Sequence, residues 1–261
     1  MARAEDVVFP RRERVEDRRK ELGHRKLLDE FFDHSTLLAV SRLINQGQFD
    51  SLDHPISIGK EGGVFRATKG SELRAVKVYR IGNTTFRRLP EYALEELRQV
   101  TSLRNFGGLI SAWTRREHSI LGLLTDAGVR VPRPYGHFRN VLVMEYVGDA
   151  EGAAPRLRDA PIEDPAALYE DLVFQVGRMI RQAKLVHGDL SPYNTLYFDG
   201  RVVLIDVAQA VSSEHTAARR LIERDIGHFA KFFARLGYPV EPDEFLAAVG
   251  GDTVGVPASE A

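Results

Sequence analysis

Residues 185–194 read Leu-Val-His-Gly-Asp-Leu-Ser-Pro-Tyr-Asn, and residues 204–206 read Leu-Ile-Asp. Asn194 follows Asp189 by five residues, and Asp206 follows Asn194 by twelve. The first offset is the one that separates a catalytic carboxylate from a metal-binding amide in kinase catalytic loops. A single Asp after an apolar run is usually a solvated turn, but the complete spacing indicates phosphoryl transfer from Mg-ATP. In that chemistry Asp189 would take the proton of the acceptor, and Asn194 and Asp206 would hold metal ions.

Composition places the chain among ordinary globular proteins and excludes several kinds of site. The 261 residues, 43% hydrophobic and 28% charged, suffice for one bilobal domain or two small ones. A formal net charge of −1 gives no global sign of a nucleic-acid binder. There is no cysteine, which excludes disulfides and a cysteine nucleophile. No apolar run approaches about 18 residues, so no membrane partner is expected and a cytoplasmic location is the default.

The N-terminal part is predicted to be a charged arm followed by helices. Residues 1–25 mix both charge signs with few apolar positions, which predicts an arm without a fixed fold. Apolar residues at helical spacing run from Leu27 to Ile44. We therefore expect residues 26–54 to form helices that pack on the domain that follows.

Residues 55–80 are predicted to form strands joined by a glycine-rich turn. The turn, at residues 59–63, would let backbone N–H groups approach phosphates closely. Such a turn is usually an ordinary hairpin. Here the strand that follows contains Ala75-Val76-Lys77, which matches the kinase pattern of a lysine on the nucleotide phosphates.

The orienting partner of Lys77 is expected to be Glu117. Apolar spacing predicts a helix over residues 113–125, and from it Glu117 could reach Lys77 and form an ion pair that orients the lysine. Two other glutamates follow Lys77, at residues 95–96. They lie within residues 82–112, which show no clean periodicity and are predicted to be a flexible, partly helical loop.

The segments together predict an α+β, bilobal fold like that of protein kinases. An antiparallel-sheet N-lobe is expected at residues 55–147 and a mainly helical C-lobe at residues 148–249. Within the C-lobe, helices are predicted over residues 166–183 and 221–236. The small, polar segment at residues 250–261 is predicted to be disordered.

Several motifs resemble those of one kinase family. His-Gly-Asp-x-x-x-x-Asn also occurs in aminoglycoside and choline kinases, so that pattern alone leaves the substrate open. Residues 57–61, Ser-Ile-Gly-Lys-Glu, resemble the Ser-Thr-Gly-Lys-Glu loop of the RIO family of atypical serine/threonine protein kinases. Residues 187–194 resemble its His-(Gly/Ala)-Asp-Leu-Ser-Glu-Tyr-Asn loop, and residues 205–211 resemble its metal loop. Residues 37–44 resemble the type 1 subfamily, and the lack of long extensions leads us to expect its archaeal form.

The resemblance implies a serine/threonine kinase or ATPase that uses ATP and Mg²⁺, with Mn²⁺ as an alternative metal, and lacks an activation loop. It implies Asp189 as catalytic base, Asn194 and Asp206 as metal ligands, and Lys77 on the phosphates. In this family the aspartate at the position of Asp206 can itself accept phosphate. Further nucleotide contacts are implied for Ser57, Gly59, Lys60, Glu61 and Val64 near the triphosphate, and for Met144, Glu145 and Val147 near the adenine.

The resemblance also implies partners. The family acts in maturation of the small ribosomal subunit, so a protein substrate and the pre-ribosomal subunit, with its rRNA and proteins, are the implied partners besides ATP. Its flexible loop, here residues 82–112, is a place of autophosphorylation.

Two other functions stay open at this point. One is a small-molecule kinase of the aminoglycoside or choline class, against which the sequence Gln209-Ala210-Val211 argues. The other is a non-catalytic assembly factor that binds ATP and RNA as a scaffold. The chain departs from the family pattern at Ile58, at Gly62-Gly63 and at Pro192. The extra glycine is expected to loosen the loop, and the proline removes a charge near the acceptor site.

Overall fold

The computed structural model describes residues 31–81, 91–100 and 106–255. The chain divides into two compact units. Of the described residues, the first unit contains those up to His118 together with Pro134–Tyr146, and the second contains Ser119–Arg133 and those from Val147 onward. Within the described ranges, no helix is both long and apolar enough to cross a membrane.

A five-stranded antiparallel sheet forms the framework of the first unit. Its strands are β1 Ser51–Ile58, β2 Gly62–Lys69, β3 Glu72–Tyr79, β4 Pro134–Phe138 and β5 Val141–Glu145. Their order in the sheet is β1-β2-β3-β5-β4, and every neighbouring pair is antiparallel. Because successive side chains of a strand point to opposite faces, one face can bury a core while the other carries polar groups.

Helix α1, His34–Asn45, covers the core face of this sheet. Asp33 begins the helix by accepting the Thr36 N–H at 2.7 Å. The rings of Phe31 and Phe65 meet edge to face with centroids 5.8 Å apart. The helices predicted for residues 26–54 extend too far, because strand β1 already begins at Ser51. The charged arm predicted for residues 1–25 lies outside the described residues.

Two helices follow β3, in and beyond residues 82–112, the stretch that the sequence predicted to be a flexible, partly helical loop. Helix α2 spans Glu91–Val100 and helix α3 spans Phe106–Asp126, so α3 starts seven residues before the predicted Trp113. Glycines at residues 107–108 lower the intrinsic helix propensity there, but Ile110 is completely buried and tertiary packing overrides that preference. Residues 82–90 and 101–105 of the predicted loop lie outside the described residues.

The second unit is mainly helical. Its helices are α4 Pro165–Arg181, α5 Ala218–Arg235 and α6 Pro242–Ala248. Strand β6, Leu185–Val186, pairs with β9, Val211–Ser212, and strand β7, Thr195–Phe198, pairs with β8, Arg201–Leu204. Short 3₁₀ turns occur at Leu157–Asp159, Val207–Gln209 and Gly251–Thr253.

The prediction of disorder from residue 250 is wrong for residues 250–255. Gly251–Thr253 forms a 3₁₀ turn, and the Gly255 N–H donates to the Ser213 carbonyl at 2.8 Å. Val254 is only 2% exposed, so one apolar side chain anchors this otherwise small and polar segment. Residues 256–261 lie outside the described residues.

A histidine pair in the first unit makes stability depend on pH. The rings of His118 and His137 are 4.7 Å apart. Burial lowers the pKa of both rings below 6.5, and for His137 the nearby His118 and Arg115 lower the pKa further. The folded protein therefore binds fewer protons than the unfolded chain below pH 6.5. We expect the free energy of unfolding to fall as the pH drops from about 6.5 towards the lowered values.

Urea unfolding at about pH 7.5 and about pH 5.5 measures this loss. The loss should be smaller in His137→Gln, while His54→Gln, a change at an exposed histidine of β1, should retain the wild-type loss. An identical pH-dependent loss in wild type and His137→Gln would contradict the prediction.

Candidate active site

In the first unit, Lys77 on β3 and Glu117 on α3 form a buried ion pair. The Lys77 Nζ lies 2.7 Å from Glu117 Oε1, and the side chains are 12% and 2% exposed. The Tyr79 hydroxyl donates to the other carboxylate oxygen of Glu117. The structure thus brings together the two residues that the sequence predicted to pair, and adds a phenol that holds the acid in place.

Tyr79 was missed by the sequence reasoning. Its position carries a signal, because Tyr79 is two residues beyond Lys77 on the same strand and so shares its face of the sheet. The Lys77 ammonium also lies 4.9 Å from the centroid of the Tyr79 ring.

Strand register places four of the predicted nucleotide contacts on one face of the sheet. Ser57 is opposite Val64, Val64 is opposite Lys77, and Lys77 is opposite Leu142. Directly opposed residues in a sheet share a face, so Ser57, Val64 and Lys77 form one row. Met144 is two residues beyond Leu142 on β5 and lies on this face as well.

The glycine-rich turn connects β1 to β2 at the end of that face. The Gly59 N–H donates to the Gly62 carbonyl at 2.9 Å, which leaves Lys60 and Glu61 exposed at the tip. A Cβ at Gly62 would lie 2.4 Å from the Val78 carbonyl oxygen. Gly62 therefore allows the close approach of two strands, and the expected loosening of the loop by glycine stays a prediction.

In the second unit, Asn194 fixes the carboxylate of Asp189. The Asn194 Nδ2 donates to Asp189 Oδ2 at 2.9 Å and to the Asp189 carbonyl at 2.8 Å. Gln209 Nε2 lies 3.5 Å from the same carboxylate oxygen. Since the amide nitrogen of Asn194 makes both bonds, its amide oxygen is directed away from Asp189.

The same hairpin end carries Asp206. The Ile205 N–H donates to the Asn194 carbonyl at 3.1 Å, which continues the β7–β8 ladder and places Asp206 just beyond it. Asp206 has φ 59° and ψ 43°, a left-handed conformation that is uncommon for residues other than glycine and is enriched at functional sites. Gly188 has φ 77°, and a Cβ there would be 2.9 Å from the Gln209 carbonyl oxygen.

His187 ties the loop of Asp189 to the strand end before Asp206. Its Nδ1 accepts the Asp189 N–H at 3.3 Å, and its Nε2 lies 3.0 Å from the Ile205 carbonyl oxygen. Because Nδ1 accepts, a neutral ring carries its proton on Nε2 and donates to Ile205. His187 is 2% exposed, so both bonds are shielded from water.

Asp225 on α5 is a further buried acid beneath this loop, and it was also missed. Arg224 donates to Asp225 Oδ1 at 3.1 Å and also to the Gly188 carbonyl. Burial raises the pKa of Asp225, while the charge of His187, the Leu190 N–H and Arg224 act in the opposite direction. Local sequence gives no sign of this link, because Arg224 and Gly188 are 36 positions apart.

The donor groups of the second unit fit Mg²⁺. Within residues 31–81, 91–100 and 106–255 there is no cluster of three or more His, Asp or Glu side chains that could hold a metal. The metal ligands on offer are instead the two oxygen-bearing side chains of Asn194 and Asp206, at one hairpin end. Mg²⁺ is suited to such a set, because it prefers oxygen ligands and usually keeps water and phosphate oxygens in its shell.

The predicted site residues divide between the units. The first unit contains Lys77, Glu117, residues 57–61 and Val64, and the second contains Asp189, Asn194 and Asp206. Met144 and Glu145 are in the first unit, and Val147 begins the main segment of the second. Their catalytic and binding roles stay predictions.

Comparison with known proteins identifies the family of this chain. The family model RIO1, described as the RIO domain, matches residues 63–245. RIO-type serine/threonine-protein kinase Rio1 of Haloferax volcanii is 39% identical over 236 residues, which cover 90% of this chain and 81% of that protein. Serine/threonine-protein kinase RIO1 of Caenorhabditis elegans is 34% identical over 234 residues. The match covers 88% of this chain but only 46% of the worm protein.

A solved structure confirms the predicted fold class. The Rio2 kinase of Chaetomium thermophilum, crystallised as an ADP/Mg²⁺-phosphoaspartate complex, has a TM-score of 0.64 to this chain at 24% identity. The similarity covers 86% of this chain and 67% of that one. The α+β fold with a Lys–Glu pair in its sheet-containing unit is thus that of the protein-kinase class. Within that class the chain belongs to the RIO family, and it is a serine/threonine-protein kinase of the RIO1 type.

Proposed function

We propose that this kinase transfers phosphate from Mg-ATP to serine or threonine hydroxyls, its own included, and also hydrolyses ATP through an aspartyl-phosphate at Asp206. We further propose that it acts on the maturing small ribosomal subunit, in the cytoplasm. The observation that carries the chemistry is the carboxylate of Asp189 held by Asn194 at 2.9 Å, at the hairpin end that also carries Asp206.

Asp189 suits the role of general base. Its carboxylate is half-buried and held by Asn194, so it can accept the proton of an attacking hydroxyl without first reorganising. The fixed ring of His187 holds the Asp189 backbone as well. Positioning of this kind accounts for much of the rate in phosphoryl transfer, where the protein does little covalent chemistry.

The amide oxygen of Asn194 and the carboxylate of Asp206 would hold Mg²⁺. When bound, the ion neutralises the charge that develops on the phosphate oxygens. Lys77, paired with the Glu117 carboxylate that Tyr79 also bonds, would contact the phosphates from the face of the sheet that also carries Ser57 and Val64.

The residues after β5 would bind the adenine. The Val147 carbonyl accepts the Ala154 N–H at 2.9 Å, so the Val147 N–H is the group best placed to donate to a base edge. Met144, on the nucleotide face of the sheet, would pack against the ring, and the backbone of Glu145 would supply a second contact.

The aspartyl-phosphate route requires only ATP and water. A carboxylate oxygen of Asp206 attacks the γ-phosphorus, the bond between that phosphorus and the β–γ bridging oxygen breaks, and ADP leaves. Water then attacks the acyl phosphate, which returns the carboxylate and releases inorganic phosphate. The Rio2 structure of Chaetomium thermophilum, by its description a phosphoaspartate complex, supports this proposal by similarity.

Incubation with γ-labelled ATP and Mg²⁺, followed by hydroxylamine, tests the two activities separately. We expect one fraction of the protein label to be lost to hydroxylamine and to be absent in Asp206→Asn, because acyl phosphates are cleaved by this reagent. A second, stable fraction on serine or threonine should be absent in Asp189→Asn.

Three results would count against the proposal. Hydroxylamine-labile label that persists in Asp206→Asn would overturn the assignment of the aspartyl-phosphate. Absence of any label from a protein that still binds ATP would favour the scaffold function. Label transfer to an aminoglycoside or choline acceptor, and to no protein, would favour a small-molecule kinase.

A further inference from the structure

Helix α5 carries a line of four exposed cationic side chains. Arg220, Arg224, Lys231 and Arg235 are all exposed. At 3.6 residues per turn they fall within an arc of about 60° and extend over about 22 Å of the helix. No Asp or Glu of α5 falls within this arc, so the four residues form what we call the basic stripe.

Most charges of the basic stripe have no ion-pair partner among the described residues. Within the part of the chain that the structure describes, Arg220, Lys231 and Arg235 form no ion pair. Arg219 and Glu223, which flank the stripe, pair with each other at 2.6 Å. An ordinary solvated helix face mixes charge signs at this spacing, as that flanking pair does, whereas the stripe has one sign only.

The middle of the basic stripe is open to a partner. Gly227 lies on the same side of the helix between Arg224 and Lys231, and a Cβ there would have no atom within 4 Å. The stripe contains no aromatic or large aliphatic side chain, so it lacks the anchors that protein interfaces usually bury. Its recognition chemistry is purely that of cations along a line.

The basic stripe also contacts the catalytic loop. Arg224, with 41% of its side chain exposed, donates to the carbonyl of Gly188, the residue before Asp189. A ligand on the stripe would therefore touch a residue that is already bonded to the loop of the catalytic base.

We propose that the basic stripe binds the phosphodiester backbone of RNA. A line of like charges without apolar anchors fits a polyanion that repeats its charge along its length, and such contacts position the nucleic acid without reading its bases. The attraction has to be local, because the net charge of the chain is only −1. The choice of RNA as the polyanion rests on the proposed action on the small ribosomal subunit.

The test uses the full chain and a fluorescein-labelled 20-nucleotide single-stranded RNA, with fluorescence anisotropy measured across a series of KCl concentrations. The variant is the triple Arg220→Gln, Lys231→Gln and Arg235→Gln, which spares Arg224 and its loop contact. For a single strand, each phosphate contact contributes about 0.7 to the slope of log affinity against log salt concentration. We therefore expect the slope of the triple variant to be shallower by about 2, and its affinity at low salt to fall about tenfold or more.

The matched control removes three exposed cations elsewhere in the same unit, by Arg158→Gln, Lys184→Gln and Arg201→Gln. The control should keep the wild-type slope. Equal losses in both triples would overturn the assignment, because binding would then follow net charge alone. If the stripe variant lost binding to poly-glutamate but kept binding to RNA, the partner of the basic stripe would be an acidic protein and not RNA.

The same preparations are labelled with γ-labelled ATP, which separates the two proposals. A wild-type protein that labels normally but does not bind RNA would overturn the basic stripe and leave the proposed chemistry intact. A wild-type protein that binds RNA with the expected slope but takes no label would overturn the chemistry and leave the stripe intact.

Discussion

Asp189→Asn is expected to lower the rate of phosphoryl transfer to serine or threonine by about 10²–10⁴-fold. The change removes the proton acceptor, while an amide of nearly the same shape can still meet Asn194 and keep the loop in place. Transfer of label from γ-labelled ATP measures the rate, and thermal unfolding checks that the variant is folded. Binding of ATP should change little, since the predicted nucleotide contacts of the first unit are not altered.

Asp199→Asn is the matched control. Asp199 is exposed in the turn between β7 and β8 and has φ 52°, a conformation that asparagine adopts readily. The control should transfer phosphate at the wild-type rate. If Asp189→Asn did so as well, Asp189 would not be the base, and the scaffold function would gain weight.

Glu117→Gln is expected to lower the free energy of unfolding by about 3 kcal/mol and to reduce phosphoryl transfer. The Lys77 ammonium, 12% exposed, would lose the charge that balances it. Tyr79→Phe removes only the hydrogen bond to the Glu117 carboxylate and should cost about 1.5 kcal/mol. Urea unfolding measures both stabilities, and the dependence of the rate on ATP concentration shows whether Lys77 has lost its position.

The comparison for this pair is Glu223→Gln. Glu223 pairs with Arg219 at 2.6 Å on the surface, with side chains 50% and 42% exposed, so its loss should cost at most about 1 kcal/mol. A cost for Glu117→Gln no larger than that of Glu223→Gln would mean that the buried pair does not stabilise the first unit. If Glu117→Gln is stably folded and its rate depends on ATP concentration as in the wild type, Glu117 does not orient Lys77.

Local sequence patterns identified candidate site residues well where the chemistry uses residues that are close together in the chain. The offset of five between Asp189 and Asn194 is one such pattern, and the structure joins their side chains at 2.9 Å. The helical spacing around Glu117 was also sufficient to choose it over the glutamates at residues 95–96, and it lies 2.7 Å from Lys77. The serine/threonine kinase activity of the RIO type, expected from these motifs, is confirmed by the relatives.

Local patterns failed where packing competes with composition. The glycines at residues 107–108 hid the start of α3, because the burial of Ile110 outweighs their low helix propensity. One buried valine, Val254, orders residues that looked like a polar tail.

The sequence by itself determined the fold class, the family and the candidate catalytic residues, because each motif is a short contiguous segment whose spacing reflects its chemistry. Only the tertiary structure decided which groups support those residues. Tyr79 meets Glu117 across 38 positions and Arg224 meets Gly188 across 36, separations that leave no periodic trace in the chain. Folding creates these contacts by bringing a helix against a strand or a loop.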